Sequence, residues 1–158
     1  MTDDAIDKAL ATADDTFHDF RQTDIASRAG WLNNAADILD GEVAECAALL
    51  PTEMGKTLSA AIAEVQKSAQ GCRYYATHGE QLLANEPLDS NGTNNFVRHL
   101  PLGPVLAVMP WNFPFWQVFR FAAPALIAGN VGLLKHASNV PRSALAIQNI
   151  LELSLIHI

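Results

Sequence analysis

The chain has 158 residues, 49% of them hydrophobic and 17% charged, which is enough apolar material for one domain with a real core and too much for a disordered chain. Its 10 Lys and Arg against 17 Asp and Glu give a formal net charge of −7, and the basic residues nowhere cluster, which argues against a nucleic-acid partner. The acidic opening Met1-Thr2-Asp3-Asp4 lacks the apolar stretch of a secretory leader, the longest apolar region (121–134) is interrupted by Pro124, Gly129 and Asn130 and is too short to cross a bilayer, and two cysteines point to a reducing cytoplasm.

In chain order the first half reads as helical. Ile6, Leu10, Ala13, Phe17 and Phe20 recur at helical spacing and line one face. A second stripe is Ile25, Ala29, Leu32, Ala36, Leu39 and Val43, with Thr23 as its expected N-cap. Pro51 is expected to break this pattern, and a third helix from Thr52 carries Met54, Leu58, Ile62, Val65, Ala69 and Cys72, with Gly55 and Gly71 blurring its edges. Pro87-Leu88-Asp89-Ser90-Asn91-Gly92 is turn chemistry, and with a strand over 95–100 it predicts a protruding hairpin.

Gly103-Pro104 then leads into Val105-Leu106-Ala107-Val108-Met109, which reads as a buried strand. A helix over 115–128 follows, with Gly129 in the C-terminal capping position. Val131 to Leu134 form a second short strand, and Pro141 is placed as the first residue of a last helix. Strand, helix, strand and helix at these lengths make a βαβ unit with parallel strands. The five histidines show no metal-ligand spacing, so no metal site is expected.

Chemistry concentrates at Pro110-Trp111-Asn112-Phe113-Pro114. This turn follows a strand and opens a helix, and in open α/β sheets ligands bind at the carboxyl ends of strands. An asparagine held between prolines and aromatics can aim its amide at one fixed point. The alternative is a rigid turn in which Asn112 bonds its own backbone. Lys135 ends the second strand, where an ammonium can donate to ribose and phosphate oxygens or can simply be solvated. Cys46 and Cys72 fall in helical patterns and read as small buried residues.

Three segments together resemble the aldehyde dehydrogenase superfamily. They are Pro101-Leu102-Gly103-Pro104-Val105 leading into 110–114, the helix end Ala123-Pro124-Ala125-Leu126-Ile127-Ala128-Gly129-Asn130, and Lys135 followed by Ala137-Ser138 and Pro141. Glu53-Met54-Gly55-Lys56-Thr57 also resembles the family, as a structural element. The resemblance implies an α/β fold: an incomplete, open parallel (Rossmann-like) cofactor-binding domain over 1–151, with N-terminal helices and a protruding β-hairpin at 86–103 serving oligomerisation. Residues 152–158 are expected to be a foreign or out-of-frame tail. The family's cysteine nucleophile and glutamate base are not found, so the chain alone is expected to be inert.

By the same resemblance Asn112 is the oxyanion-stabilising residue, and Trp111, Asn112, Lys135, His136, Ala137 and Ser138 line the cofactor. Ser138 stands where many NAD-preferring members carry Glu; losing that carboxylate removes repulsion of a 2′-phosphate and favours NADP, with NAD still possible. Phe113, Trp116 and Arg120 are expected at the substrate, a small-molecule aldehyde. Within the family the chain is most similar to members acting on succinate semialdehyde, where an arginine matching Arg120 meets the substrate carboxylate. The other reading of Arg120 is a packed stem with its head in water. The alternatives for the whole are a dehydrogenase for another aldehyde, or a non-catalytic nucleotide-binding or self-associating fragment. The full-length protein is expected to be a homo-oligomer.

Overall fold

The computed structural model describes residues 2–89 and 91–154. Its first half is four helices: α1 (Asp3–Phe20), α2 (Ile25–Gly41), α3 (Val43–Met54) and α4 (Leu58–Leu82). A small antiparallel pair, β1 (Glu86–Pro87) and β2 (Phe96–Val97), follows. Then come β3 (Pro104–Met109), α5 (Pro114–Ile127), β4 (Val131–His136) and α6 (Pro141–Leu153). Strands β3 and β4 pair in parallel from Pro104 opposite Val131 to Met109 opposite His136, so the predicted βαβ unit and hairpin are both present. Ser90 of the hairpin turn lies outside the described residues.

Apolar faces of all six helices join one core. Leu32, Leu39, Leu50, Val65, Phe115, Phe119, Ile147 and Ile150 are almost fully buried. Burying Phe115 and Phe119 alone contributes roughly 1.5–3 kcal/mol each. Helix α5 lies on α4 where Gly71 leaves room for the Trp116 ring, and Gly71 falls inside the helix rather than at an edge.

Four expectations are corrected. Asp24, not Thr23, caps α2: its carboxylate accepts from the Ser27 N–H at 2.6 Å, while the Thr23 hydroxyl donates back to the Phe20 carbonyl and finishes α1. Val43 belongs to α3, beyond a break at Glu42. Pro51 does not end a helix but lies inside α3. Its usual cost, about 3 kcal/mol or more in a helix interior, is offset by the buried face Cys46, Ala47 and Leu50. The real stop is Gly55, left-handed at φ 76°, and α4 starts afresh at Leu58.

The fourth correction concerns β3, which is buried on one face only. Ala107 is covered, whereas Leu106 and Val108 are each 65% exposed. Its continuous apolar run is the pattern of a parallel strand, which is ordinarily covered on both faces. Within the described residues only one face has a cover. On α1, Ile6 and Leu10 extend the predicted stripe but lie exposed beyond the core contact of Ala13, Phe17 and Phe20. Helix α6 runs through Glu152 and Leu153, and Ser154 closes it with its hydroxyl on the Leu151 carbonyl. Residues 155–158 lie outside the described residues.

Candidate functional site

Both turns leaving the parallel sheet emerge on the same edge, because the strands are parallel and in register to their last residues. The first turn is 110–113, and the second is 137–140. The side chain of His136 joins them. Its Nε2 lies 3.0 Å from the Pro114 carbonyl, and its Nδ1 accepts from the Ala137 N–H at 2.8 Å. With Nδ1 accepting, Nε2 is the ring nitrogen placed to donate to the Pro114 carbonyl. The imidazole thus ties the second turn to the start of α5.

Helices α5 and α6 begin alike. Each has proline at its first position and no side-chain cap of its own. Their free N–H groups are satisfied by two glutamates from the N-terminal helices. Glu64 of α4 accepts from Phe115 N–H at 3.0 Å and Trp116 N–H at 3.1 Å through one oxygen. Glu53 of α3 accepts from Arg142 N–H at 2.6 Å, Ser143 N–H at 3.0 Å and the Ser143 hydroxyl at 2.6 Å. A carboxylate at a helix N-terminus also meets the favourable end of the helix dipole. Since both termini are filled, neither is open to a phosphate in the manner common at strand–helix turns.

Glu64 is buried, its side chain 1% exposed, and its other oxygen is ion-paired to Lys56. The same ammonium donates to the Asn112 carbonyl at 2.9 Å and sits 3.8 Å from the centroid of the Phe113 ring. The backbone of the turn is thus fixed from below. Asn112 itself is exposed, and its side-chain amide makes no hydrogen bond among the described residues. The amide is not spent on its own turn.

On the second turn, His136, Ala137 and Ser138 line one wall of a cleft of about 700 Å³. Leu133, Leu134, Leu145 and Phe121 supply apolar surface, and Gln148 a polar edge. Its size lies in the range of small-molecule sites. Ser138 and Lys135 are exposed. Trp111, 50% exposed, belongs to the first turn and does not line this cleft.

The three candidate substrate residues separate. Phe113 is 44% exposed beneath Lys56. Trp116 is half-buried, with Lys67 4.3 Å from its ring centroid. Arg120 projects from the solvent side of α5, roughly 9 Å along the axis from Pro114 at 1.5 Å per residue, and makes no ion pair among the described residues. Both cysteines are buried, and burial pushes the Cys46 thiol up to about 11 and the Cys72 thiol up to about 12. Neither is a nucleophile at neutral pH. The described residues contain no group of His, Cys, Asp and Glu that could hold a metal ion, and no helix long and apolar enough to cross a membrane.

Residues 1–155 match the sequence pattern of the aldehyde dehydrogenase family. The chain belongs to that family. The succinate-semialdehyde dehydrogenase [NADP(+)] 1 of Mycobacterium tuberculosis (strain H37Rv) is 56% identical over 153 residues, covering 95% of this chain and 34% of that protein. A probable succinate-semialdehyde dehydrogenase [NADP(+)] of Synechocystis is 56% identical over 147 residues, covering 93% of this chain and 32% of that protein. In three dimensions the chain superposes on the succinic semialdehyde dehydrogenase of Streptococcus pyogenes, solved in complex with NADP+. The TM-score is 0.93 at 33% identity, covering 98% of this chain and 34% of that one. The chain thus spans about a third of the length of the curated relatives it matches, and its fold is that of the N-terminal cofactor-binding part of an aldehyde dehydrogenase.

The residues that sequence reasoning missed are Lys56, Glu64 and Asn130. Glu53 and Lys56 were placed in a structural element, which describes Glu53 and leaves out the reach of Lys56 to Asn112. A signal for Glu64 was available. It lies on the stripe Ala61, Val65, Ser68, Ala69 and Cys72, where a carboxylate needs a partner. Asn130 follows Gly129 and staples the hairpin exit: its Oδ1 accepts from Leu102 N–H at 2.6 Å and Gly103 N–H at 3.2 Å.

Proposed function

We propose that the chain is the cofactor-binding and oxyanion-stabilising part of an NADP-dependent enzyme that oxidises succinate semialdehyde to succinate in the cytoplasm. The observation that carries this reading is the exposed, unspent amide of Asn112, on a turn pinned from below at the carboxyl edge of the sheet. When a thiolate adds to the aldehyde carbon, an electron pair moves onto the carbonyl oxygen. A fixed amide donor aimed there lowers the barrier, and loss of one such donor costs roughly 2.7–4 kcal/mol. The thiolate comes from outside these residues, because both cysteines present are buried thiols. The 158-residue chain on its own therefore oxidises no aldehyde.

NADP, when bound, supplies the acceptor for the aldehyde's hydride. Trp111 and Asn112 border its nicotinamide end, Lys135 and Ser138 hold the ribose and 2′-phosphate, and His136 and Ala137 form the adjoining wall. Phe113 and Trp116 give the aldehyde an apolar channel, and Arg120 meets its carboxylate. The strongly similar relatives named for succinate semialdehyde and NADP(+) support the substrate and cofactor. The hairpin at 86–103, which exposes Phe96 and Val97, serves self-association into a homo-oligomer.

The test is an assay of a full-length protein carrying this chain, with NADP+ or NAD+ and with succinate semialdehyde or butanal. Succinate semialdehyde with NADP+ should give the highest kcat/KM. A preference for butanal would replace the substrate by an uncharged aldehyde, and no turnover with any aldehyde would leave a nucleotide-binding or self-associating protein.

A further inference from the structure

We propose that Lys56 and Glu64 form a positioning pair for Asn112, so that a buried ion pair on the N-terminal helices sets the rate of the chemical step without touching substrate. The proposal rests on the function proposed above. Three contacts carry it. Glu64 holds the Phe115 and Trp116 N–H groups, and so fixes where α5 begins. Lys56 holds the Asn112 carbonyl. The same ammonium lies over the Phe113 ring, which blocks the turn from rotating about its own chain. Asn112 is therefore gripped at its backbone, at the following side chain and at the helix two residues on. Its side-chain amide makes no hydrogen bond among the described residues.

The pair is more than a helix cap. Helix α6 is capped by Glu53 through backbone and hydroxyl donors, and Glu53 makes no ion pair among the described residues. A cap at α5 could have been built the same way. Instead a lysine whose side chain is 10% exposed and a glutamate whose side chain is 1% exposed are both withdrawn from water. Withdrawing two charges costs more than the single half-buried carboxylate that caps α6, and a buried pair is weak evidence for stability. What this pair adds over the Glu53 cap is the bond to the Asn112 carbonyl. That bond fixes the peptide from which the amide projects. Placement matters steeply in such a step, since a displacement of about 1 Å can cost on the order of a hundredfold in rate.

The experiment uses the full-length protein carrying this chain with Lys56→Met, Glu64→Gln and the double substitution. Methionine keeps the length of the lysine stem, and glutamine keeps an oxygen for the two α5 amides. Each single substitution should lower kcat about ten- to a hundredfold, with KM for aldehyde and for NADP+ within about twofold. The double variant should be no worse than the poorer single one, because the two residues act as a unit. Amide hydrogen exchange, read without substrate, should quicken in Lys56→Met at Phe115, Trp116 and Gln117, whose N–H groups bond Glu64 and the Phe113 carbonyl, with protection kept in the later turns of α5. Unchanged kcat with a loosened turn would overturn the proposal, as would unchanged exchange at 115–117, or additive losses with a matching rise in KM. If the unsubstituted protein oxidises no aldehyde, the dehydrogenase reading fails instead, and the exchange result still decides whether the pair holds the turn.

Discussion

The two turns at the sheet edge solve the same problem with different chemistry. Each joins a parallel strand to a helix that begins with proline, and each helix is capped by a glutamate from the helices before the sheet. At 110–113 the glutamate is buried and charge-paired, and its lysine reaches the turn itself. At 137–140 the glutamate is half-buried, meets only N–H and hydroxyl donors, and leaves the turn residues to the cleft. Rigid anchoring thus falls on the turn from which we propose that Asn112 aims its amide, and looser anchoring on the turn that we propose accepts the cofactor's edge.

The largest expected effect separates the two caps directly. Glu64→Ala leaves Lys56 buried without its partner and should destabilise by about 3–5 kcal/mol. Glu53→Ala loses a cap and should cost about 0.5–2 kcal/mol. Urea unfolding of the 158-residue chain measures both, and equal losses would erase the distinction drawn between the turns.

On the first turn's side, Arg120→Ala in the full-length protein should reduce kcat/KM for succinate semialdehyde about ten- to a hundredfold more than for butanal. A hydrogen bond to a charged group is worth roughly 1.5–3 kcal/mol. Loss of packing would depress both substrates alike, so equal losses would remove Arg120 from the site. On the second turn's side, Ser138→Glu should move the ratio of kcat/KM for NADP+ over NAD+ toward NAD+ by about fivefold or more, from a charge repulsion of roughly 1–4 kcal/mol at close range. An unchanged ratio would mean that the 2′-phosphate is held elsewhere.

The smallest effect comes from a third carboxylate cap, Asp24 on α2, which is fully exposed. Its bond from the Ser27 N–H holds its carboxyl below the ordinary value of 3.8. A folded value below the unfolded one gives a contribution present above 3.8 and lost as pH falls through the folded value. Protection of the Ser27 amide, relative to its intrinsic exchange rate at each pH, should therefore fall only in acid, with α5 and α6 unaffected over the same range. Protection that fell near neutral pH would point to another group.

Much of this was legible in the sequence because it rests on local rules. The βαβ order, Gly129 after α5, Pro141 opening α6 and the hairpin follow from periodicity and turn chemistry. Pro51 misled because packing of Cys46, Ala47 and Leu50 overrode a local penalty. Thr23 misled because the next residue was the better acceptor. The open face of β3 was invisible to a pattern that reports what a strand is built to bury, rather than what covers it. At the site, the turn residues announced themselves by type and order. Lys56 and Glu64 did not, since they lie 56 and 51 residues before the atoms they hold. Glu64 was marked only by its place on an apolar stripe, and Lys56 only by its place in the Glu53–Thr57 segment.

The most direct test of the central claim is Asn112→Ala in the full-length protein, read as single-turnover NADPH formation from succinate semialdehyde alongside NADP+ binding. The account predicts a rate lower by roughly a hundred- to a thousandfold, the cost of one oxyanion donor, with NADP+ affinity unchanged. A rate within a few-fold of the unsubstituted protein would contradict it, and would return Asn112 to the role of a turn residue.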